Sequence, residues 1–174
     1  MLDTRELGRR PGSMREVSRD VPAPVDLGIE VLRVPEGSPV SLDLRLEAVM
    51  EGVLVTGTAL AELEGECARC LEPISEELET RFQELFVYDD EGAGHDLGDE
   101  DDDVSRLEGD LLDLEPLLRD AVVLSLPFQP LCEDDCQGLC TTCGARLADD
   151  PDHTHEAVID PRWARLTTLK QDED

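Results

Sequence analysis

The chain has 174 residues, of which 40% are apolar and only 3% aromatic, and a formal net charge of −28. This length suggests one principal domain with attached segments and a modest core of Leu, Val and Ala. The charge argues against broad capture of a nucleic-acid backbone, which normally takes clusters of Lys and Arg; there is one lysine, Lys170, beside fourteen arginines. The acids read as solvated surface and linker, or as a lure for basic proteins. No run of eighteen apolar residues exists, so no membrane span is expected.

Residues 1–28 read as an N-terminal arm. Arg5, Arg9, Arg10, Arg15 and Arg19 outnumber Asp3, Glu6, Glu16 and Asp20 in its first twenty positions. Such a weakly basic stretch is a candidate contact for RNA or an acidic partner, with ordinary surface charge as the alternative. Asp3 can cap a short turn through Glu6 and Leu7 that Gly8 ends, and Arg10-Pro11-Gly12 reads as a second turn. The opening carries no apolar run of a secretory signal, so a reducing cytoplasm is the expected location.

Residues 29–88 read as β structure. Val40, Leu42, Leu44, Leu46 and Ala48 alternate with Ser41, Asp43, Arg45 and Glu47, the period of a half-buried strand. Glu51-Gly52 supplies a turn, Val53 and Val55 open a return strand toward Leu63, and a third strand ends at Phe86, Val87 and Tyr88. Together they predict an antiparallel meander with one wet face.

From Asp89 to Asp110 eleven acids face one base, Arg106, with almost no apolar periodicity; this predicts a disordered acidic linker. His95, inside it, reads as solvated. Residues 111–174 then hold a helix and a Cys/His-rich tail. Asp113 can serve as N-cap, Pro116 lies in the first turn, and Leu114, Leu117, Leu118, Ala121 and Val122 form a helical stripe that Pro127 stops. The helix should cross the sheet and bring the tail near the first cysteine pair. The predicted fold is α+β: an antiparallel meander, a packed helix and a zinc-ribbon-like C-terminal cluster.

The chemistry lies in Cys67 and Cys70, in Cys132, Cys136, Cys140 and Cys143, and in His153 and His155. In a reducing compartment disulfides are rare, and short-spaced cysteine pairs separated by a long insertion are the grammar of a zinc ribbon. A two-residue spacer lets both thiolates of a pair point at one centre, and Gly138 and Gly144 can take the positive φ that tight metal-binding turns need. Six cysteines and two histidines suffice for two tetrahedral sites. The favoured pairing puts Cys67, Cys70, Cys132 and Cys136 at one ion, with Cys140, Cys143, His153 and His155 at another. A single ribbon of Cys67, Cys70, Cys140 and Cys143 is the rival, so one or two zinc ions are expected. A redox dithiol is the other reading, but such motifs normally open a helix in a βαβ setting. No phosphate loop, nucleophile elbow or defined carboxylate pair appears, so neither catalysis nor a small-molecule substrate is expected.

The succession CARCLEP, an acidic gap, GDLLDLEPLLRDAVVLSLPFQPLC, DCQGLCTTCGARL and IDPRWARL resembles the YceD family of large ribosomal RNA subunit accumulation proteins. The opening LDTRELGRRPGSMREV is similar to actinobacterial members. The resemblance implies a non-enzymatic role in synthesis, processing or stability of 23S rRNA, with the large-subunit precursor as partner, bound directly or through ribosomal proteins. Many family members carry Cys-x-Cys where this chain has His153-Thr154-His155; imidazole can replace thiolate on zinc. Arg5, Arg9, Arg10, Arg15, Arg162, Trp163 and Arg165 are then the candidate contacts. Trp163 is suited to stacking on a base or to clamping the core. An acidic interaction module or chaperone for basic ribosomal proteins is the alternative function, and a zinc-thiolate redox switch a third.

Overall fold

A computed structural model describes residues 1–88 and 104–155. Its strands are β1 (Leu2–Asp3), β2 (Met14–Pro22), β3 (Leu27–Ile29), β4 (Leu32–Val34), β5 (Pro39–Ala48), β6 (Gly52–Glu66), β7 (Pro73–Val87) and β8 (Leu111–Leu112). One helix, α1, spans Glu115–Ser125. The expected α+β meander is therefore present. Among the described residues no helix is long and apolar enough to cross a membrane.

The sheet is antiparallel throughout. β6 is its axis: β5 pairs along one side of it, β7 runs the full length of the other, and β2 extends the sheet beyond β5. Past the end of β5, the short β3–β4 hairpin takes over that flank of β6 through Leu32 and Arg33. The alternation in β5 sends Val40, Leu42, Leu44, Leu46 and Ala48 to the core, and Val53, Val55, Ala59, Ala61 and Leu63 of β6 follow the same period. Gly57 interrupts that row because Phe82 lies opposite it; a Cβ there would come within 2.5 Å of the ring. The missing side chain of β6 is thus replaced by an aromatic one from β7.

The helix covers the β3 and β7 parts of this face, burying Leu118 and Val122. Thr80 of β7 anchors it, its hydroxyl donating to Ala121 O at 3.2 Å and meeting Ser125 Oγ at 2.7 Å. The helix begins one residue later than Asp113 predicts. Leu114 is the N-cap residue, and Asp113 Oδ1 accepts from the Glu115 N–H at 3.1 Å, so the carboxylate still satisfies a first-turn donor.

Two sequence boundaries move. Residues 1–28 are not an arm: β2 lies in the sheet, and Leu2 and Leu7 are buried, with β1 paired to β8. Two turns lead into it as expected, Leu7 N donating to Thr4 O before Gly8 at φ +68°, and Ser13 N donating to Arg10 O. The expected acidic linker is shorter than 89–110, because Leu107 is 1% exposed and the end of β7 bonds to 105–107 through Val87. Residues 89–103, His95 among them, lie outside the described residues, as does 156–174 of the tail.

Candidate metal centres

The hairpin between β6 and β7 is closed by Cys67–Glu72. Cys67 N donates to Glu72 O at 2.8 Å, Leu71 N to Cys67 O at 2.9 Å, and Arg69 N to Cys67 Sγ at 3.4 Å. The turn needs positive φ at its fifth residue, which Leu71 adopts at +62°. The tail then repeats it. Cys140 N donates to Ala145 O at 2.7 Å, Gly144 N to Cys140 O at 2.8 Å, and Thr142 N to Cys140 Sγ at 3.4 Å, with Gly144 at φ +75°. Two distant Cys-x-x-Cys stretches thus form the same knuckle, bond for bond.

The first knuckle is completed by the chain leaving α1. Ala68 N donates to Pro130 O at 2.8 Å, Arg69 NH1 to Cys136 O at 2.8 Å, and Leu139 N to Arg69 O at 3.2 Å. Gly138 permits this approach, since a Cβ there would stand 3.0 Å from Arg69 O. The result gathers Cys67, Cys70, Cys132 and Cys136, their Sγ atoms all within 4.8 Å of one another. Cys67 to Cys136 is 3.7 Å and Cys70 to Cys132 is 3.5 Å. Four sulfurs about 2.3 Å from one tetrahedral ion stand about 3.8 Å apart, so the spacing fits a metal. Cys67, Cys70 and Cys136 are buried and Cys132 is exposed.

The second knuckle is completed within its own stretch. His153 Nε2 lies 3.2 Å from Cys143 Sγ and 2.9 Å from His155 Nε2, which is itself 3.3 Å from Cys143 Sγ. With Cys140, these donor atoms also fall within 4.8 Å of one another. Histidines two residues apart therefore both reach one centre. Asp150 sets the ring of His153: its carbonyl accepts from His153 N at 3.0 Å and its carboxylate lies 3.5 Å from Nδ1, leaving Nε2 for the cluster. Cys143 and His155 are exposed.

Electrostatics divides the thiols. Burial pushes Cys67 up, but backbone N–H groups of Cys70, Cys132 and Arg69 outweigh it and hold the thiol at about 6. Cys140 is brought to about 6 by the N–H groups of Cys143 and Thr142. Cys132 is pushed up to about 12, chiefly by its contact with Cys70, and burial raises Cys136. Each knuckle therefore opens on a cysteine whose thiol is brought down towards neutral pH by backbone N–H groups. Four thiols, three of them buried and none near an oxygen donor of the set, suit a borderline-soft cation; the Cys₂His₂ group suits the same class. Both offer four protein donors, the number that closes a structural site.

The eight expected ligands are thus brought together, in two groups of four, and Cys140 and Cys143 do not join Cys67 and Cys70. Arg69 and Asp150 went unforeseen, although Asp150 stands one helical turn before His153 in sequence. The arginines offered as RNA contacts lie elsewhere. Arg5 is held by Asp3, Arg15 pairs with Glu6 at 2.7 Å, and Arg9 sits 4.6 Å over the Tyr88 ring and 4.0 Å from Asp110. Arg10 gives only its carbonyl to the Ser13 turn bond in the contacts described. Arg162, Trp163 and Arg165 lie outside the described residues.

Comparison with known proteins bears on the same segment. A family model described as "Large ribosomal RNA subunit accumulation protein YceD" matches residues 55–170. An uncharacterised Mycobacterium tuberculosis protein, Rv2926c, is 47% identical over 97% of this chain and 80% of its own length. Bacillus subtilis YlbN is 29% identical over 79% of this chain and 78% of its own. A maize protein named "Large ribosomal RNA subunit accumulation protein YCED homolog 1, chloroplastic" is 26% identical over 82% and 52%. No solved structure matches. The matched span runs from early β6 through both knuckles, and on it the chain belongs to the YceD family.

Proposed function

We propose that this protein is a ribosome-biogenesis factor that supports the synthesis, processing or stability of 23S rRNA by binding the large-subunit precursor in the cytoplasm, without catalysis. Family membership, on a match that encloses every candidate ligand, carries the reading. The ions are zinc, two per chain, and structural. Cys₄ and Cys₂His₂ are both familiar zinc sets, and with four protein donors neither ion keeps a position for substrate. Cosedimentation of the tagged full-length protein with large-subunit precursors at moderate salt tests the role; absence from those fractions argues against it.

A second reading has its own support. Net charge is −28, and Arg5, Arg9 and Arg15 of the expected basic stretch each stand beside a carboxylate. These observations favour contact through a basic protein of the precursor over contact with rRNA itself. Cross-linking in cells, read by RNA sequencing and by mass spectrometry of protein adducts, separates the two.

A further inference from the structure

Among the described residues, no strand pairs with the outer edge of β7. Cys67 N bonded to Glu72 O and Tyr88 N bonded to Glu51 O fix the phase of the β6–β7 ladder. Even-numbered residues of β7 therefore turn their backbone groups to β6, and odd-numbered ones turn theirs away. Val87 is occupied, bonding to Ser105 and Leu107. The outward N–H and C=O groups of Ser75, Glu77, Glu79, Arg81, Gln83 and Leu85 have no partner among the described residues. The helix lies on the sheet's inner face, where it contacts Thr80, and leaves Ser75, Glu77, Glu79, Arg81 and Gln83 exposed. This is a rail of roughly 33 Å at about 3.3 Å per residue.

Natural sheets usually blunt such an edge, often with lysine. This one carries the opposite charge. Between Ser75 and Leu85 stand Glu76, Glu77, Glu79 and Glu84 against Arg81 alone. On the adjoining strand, Glu62 and Glu64 lie opposite Glu77 and Ser75 in register. At the Pro73 end, Pro73 and Ser75 also border a concavity of about 1060 Å³. Its ionisable lining is Asp26, Glu30, Glu36, Glu64 and Glu66 against Arg33. The opposite edge of the sheet differs: on β2, Arg15 and Arg19 balance Glu16 and Asp20. A second copy of the chain brought edge to edge at β7 would double a like charge.

The geometry points to β-augmentation: the β7 edge receives an extended, Lys/Arg-rich segment of a partner protein, which pairs as a further antiparallel or parallel strand. Main-chain bonds supply the affinity, and alternate basic side chains meet the glutamates, which supply selectivity. This rests on the biogenesis reading for its biological partner, a basic protein of the large-subunit precursor, but not for its chemistry.

The test uses the full-length metal-loaded protein and a synthetic ten-residue peptide that alternates lysine with valine or threonine. A counterpart, N-methylated at every residue, keeps the charge and loses the main-chain donors. The first peptide should shift the backbone amide resonances of Glu77, Glu79, Arg81 and Gln83. N-methylation should weaken binding at least tenfold, and so should the E77K/E79K variant, whose altered side chains are exposed. Equal binding of both peptides overturns the proposal, as do undiminished binding to E77K/E79K, shifts confined to another surface, or preference for a poly-uridine oligonucleotide. E77K/E79K should also leave large-subunit precursors in cell extracts; if it stays bound there like wild type, the edge is not the contact. Failure of the wild type itself to associate with precursors strikes the biogenesis role and leaves the peptide result standing.

Discussion

The two cysteine clusters share one turn and differ in everything built around it. Both knuckles make the same three hydrogen bonds, within 0.1 Å of each other in length. The first then recruits Cys132 and Cys136 from beyond the helix, buries three of its four thiols, and fastens the β6–β7 hairpin to the tail. The second recruits His153 and His155 from its own stretch and stays half open to solvent. A metal at the first site closes a loop that contains β7 and α1, whereas at the second it closes only Cys140 to His155. Burial and loop length, not the knuckle, decide how much fold an ion at each site would hold.

The largest effect should therefore follow from Cys136→Ser. Structural zinc contributes on the order of 10 kcal/mol of apparent folding energy in small metal domains, and the buried Cys67 and Cys70 would be left with the exposed Cys132 in a broken set. The variant should hold one metal per chain instead of two and melt roughly 10 °C lower or more, at about 2–4 °C per kcal/mol for a domain of this size. The contrast is His155→Ala. It too should drop metal content to one per chain, but β5, β6 and β7 should keep their amide protection and the main transition should move by less than about 3 °C. Metal analysis beside calorimetry reads both. Equal melting shifts in the two variants would erase the distinction between a fold-holding and a local site.

A smaller effect tests what orients the second site. Asp150 touches His153 through a carbonyl and a carboxylate, and only the carboxylate is lost in Asp150→Ala. Outer-shell carboxylates on metal-bound histidines are worth about ten- to a hundredfold in affinity, and this one is 63% exposed, so about tenfold weaker metal retention is expected. Competition with a chromogenic chelator measures it, the first site serving as internal reference. Unchanged retention would mean that the backbone alone sets the ring.

What the sequence made legible follows the same division. The alternation of Val40 to Ala48, the glycine turn at Gly52 and the stripe from Leu114 to Val122 are patterns of buried side chains, and each became the expected element. β2 escaped because Arg15 and Arg19 share its inward side with Val17 and Val21, which a sheet margin tolerates and a period count does not. β3 and β4, three residues each, are too short to show any period. Leu107 is a single buried side chain in an acidic run, and one residue carries no pattern. Cysteine spacing named the ligands but allowed two pairings. What separates them is a contact between distant stretches, Arg69 against Cys136, Gly138 and Leu139, which no local reading contains.

The finest test exchanges the residue that holds the positive-φ position in each knuckle. Gly144 takes its positive φ without strain, while Leu71 holds φ +62° in the same role at a cost of about 1–2 kcal/mol for an ordinary side chain. Leu71 is 60% exposed and so returns little from burial. Leu71→Gly relieves the strain but frees the unfolded chain by about 0.4–1 kcal/mol, which leaves a gain between zero and about 1.5 kcal/mol and a rise in Tm of up to about 6 °C. Gly144→Leu imposes the strain where no buried core supports the turn, and should cost the second site metal affinity while leaving the first unaffected. If Leu71→Gly instead lowers Tm, the exposed leucine makes contacts that outweigh its backbone strain, and the two turns are alike in hydrogen bonding but not in energy.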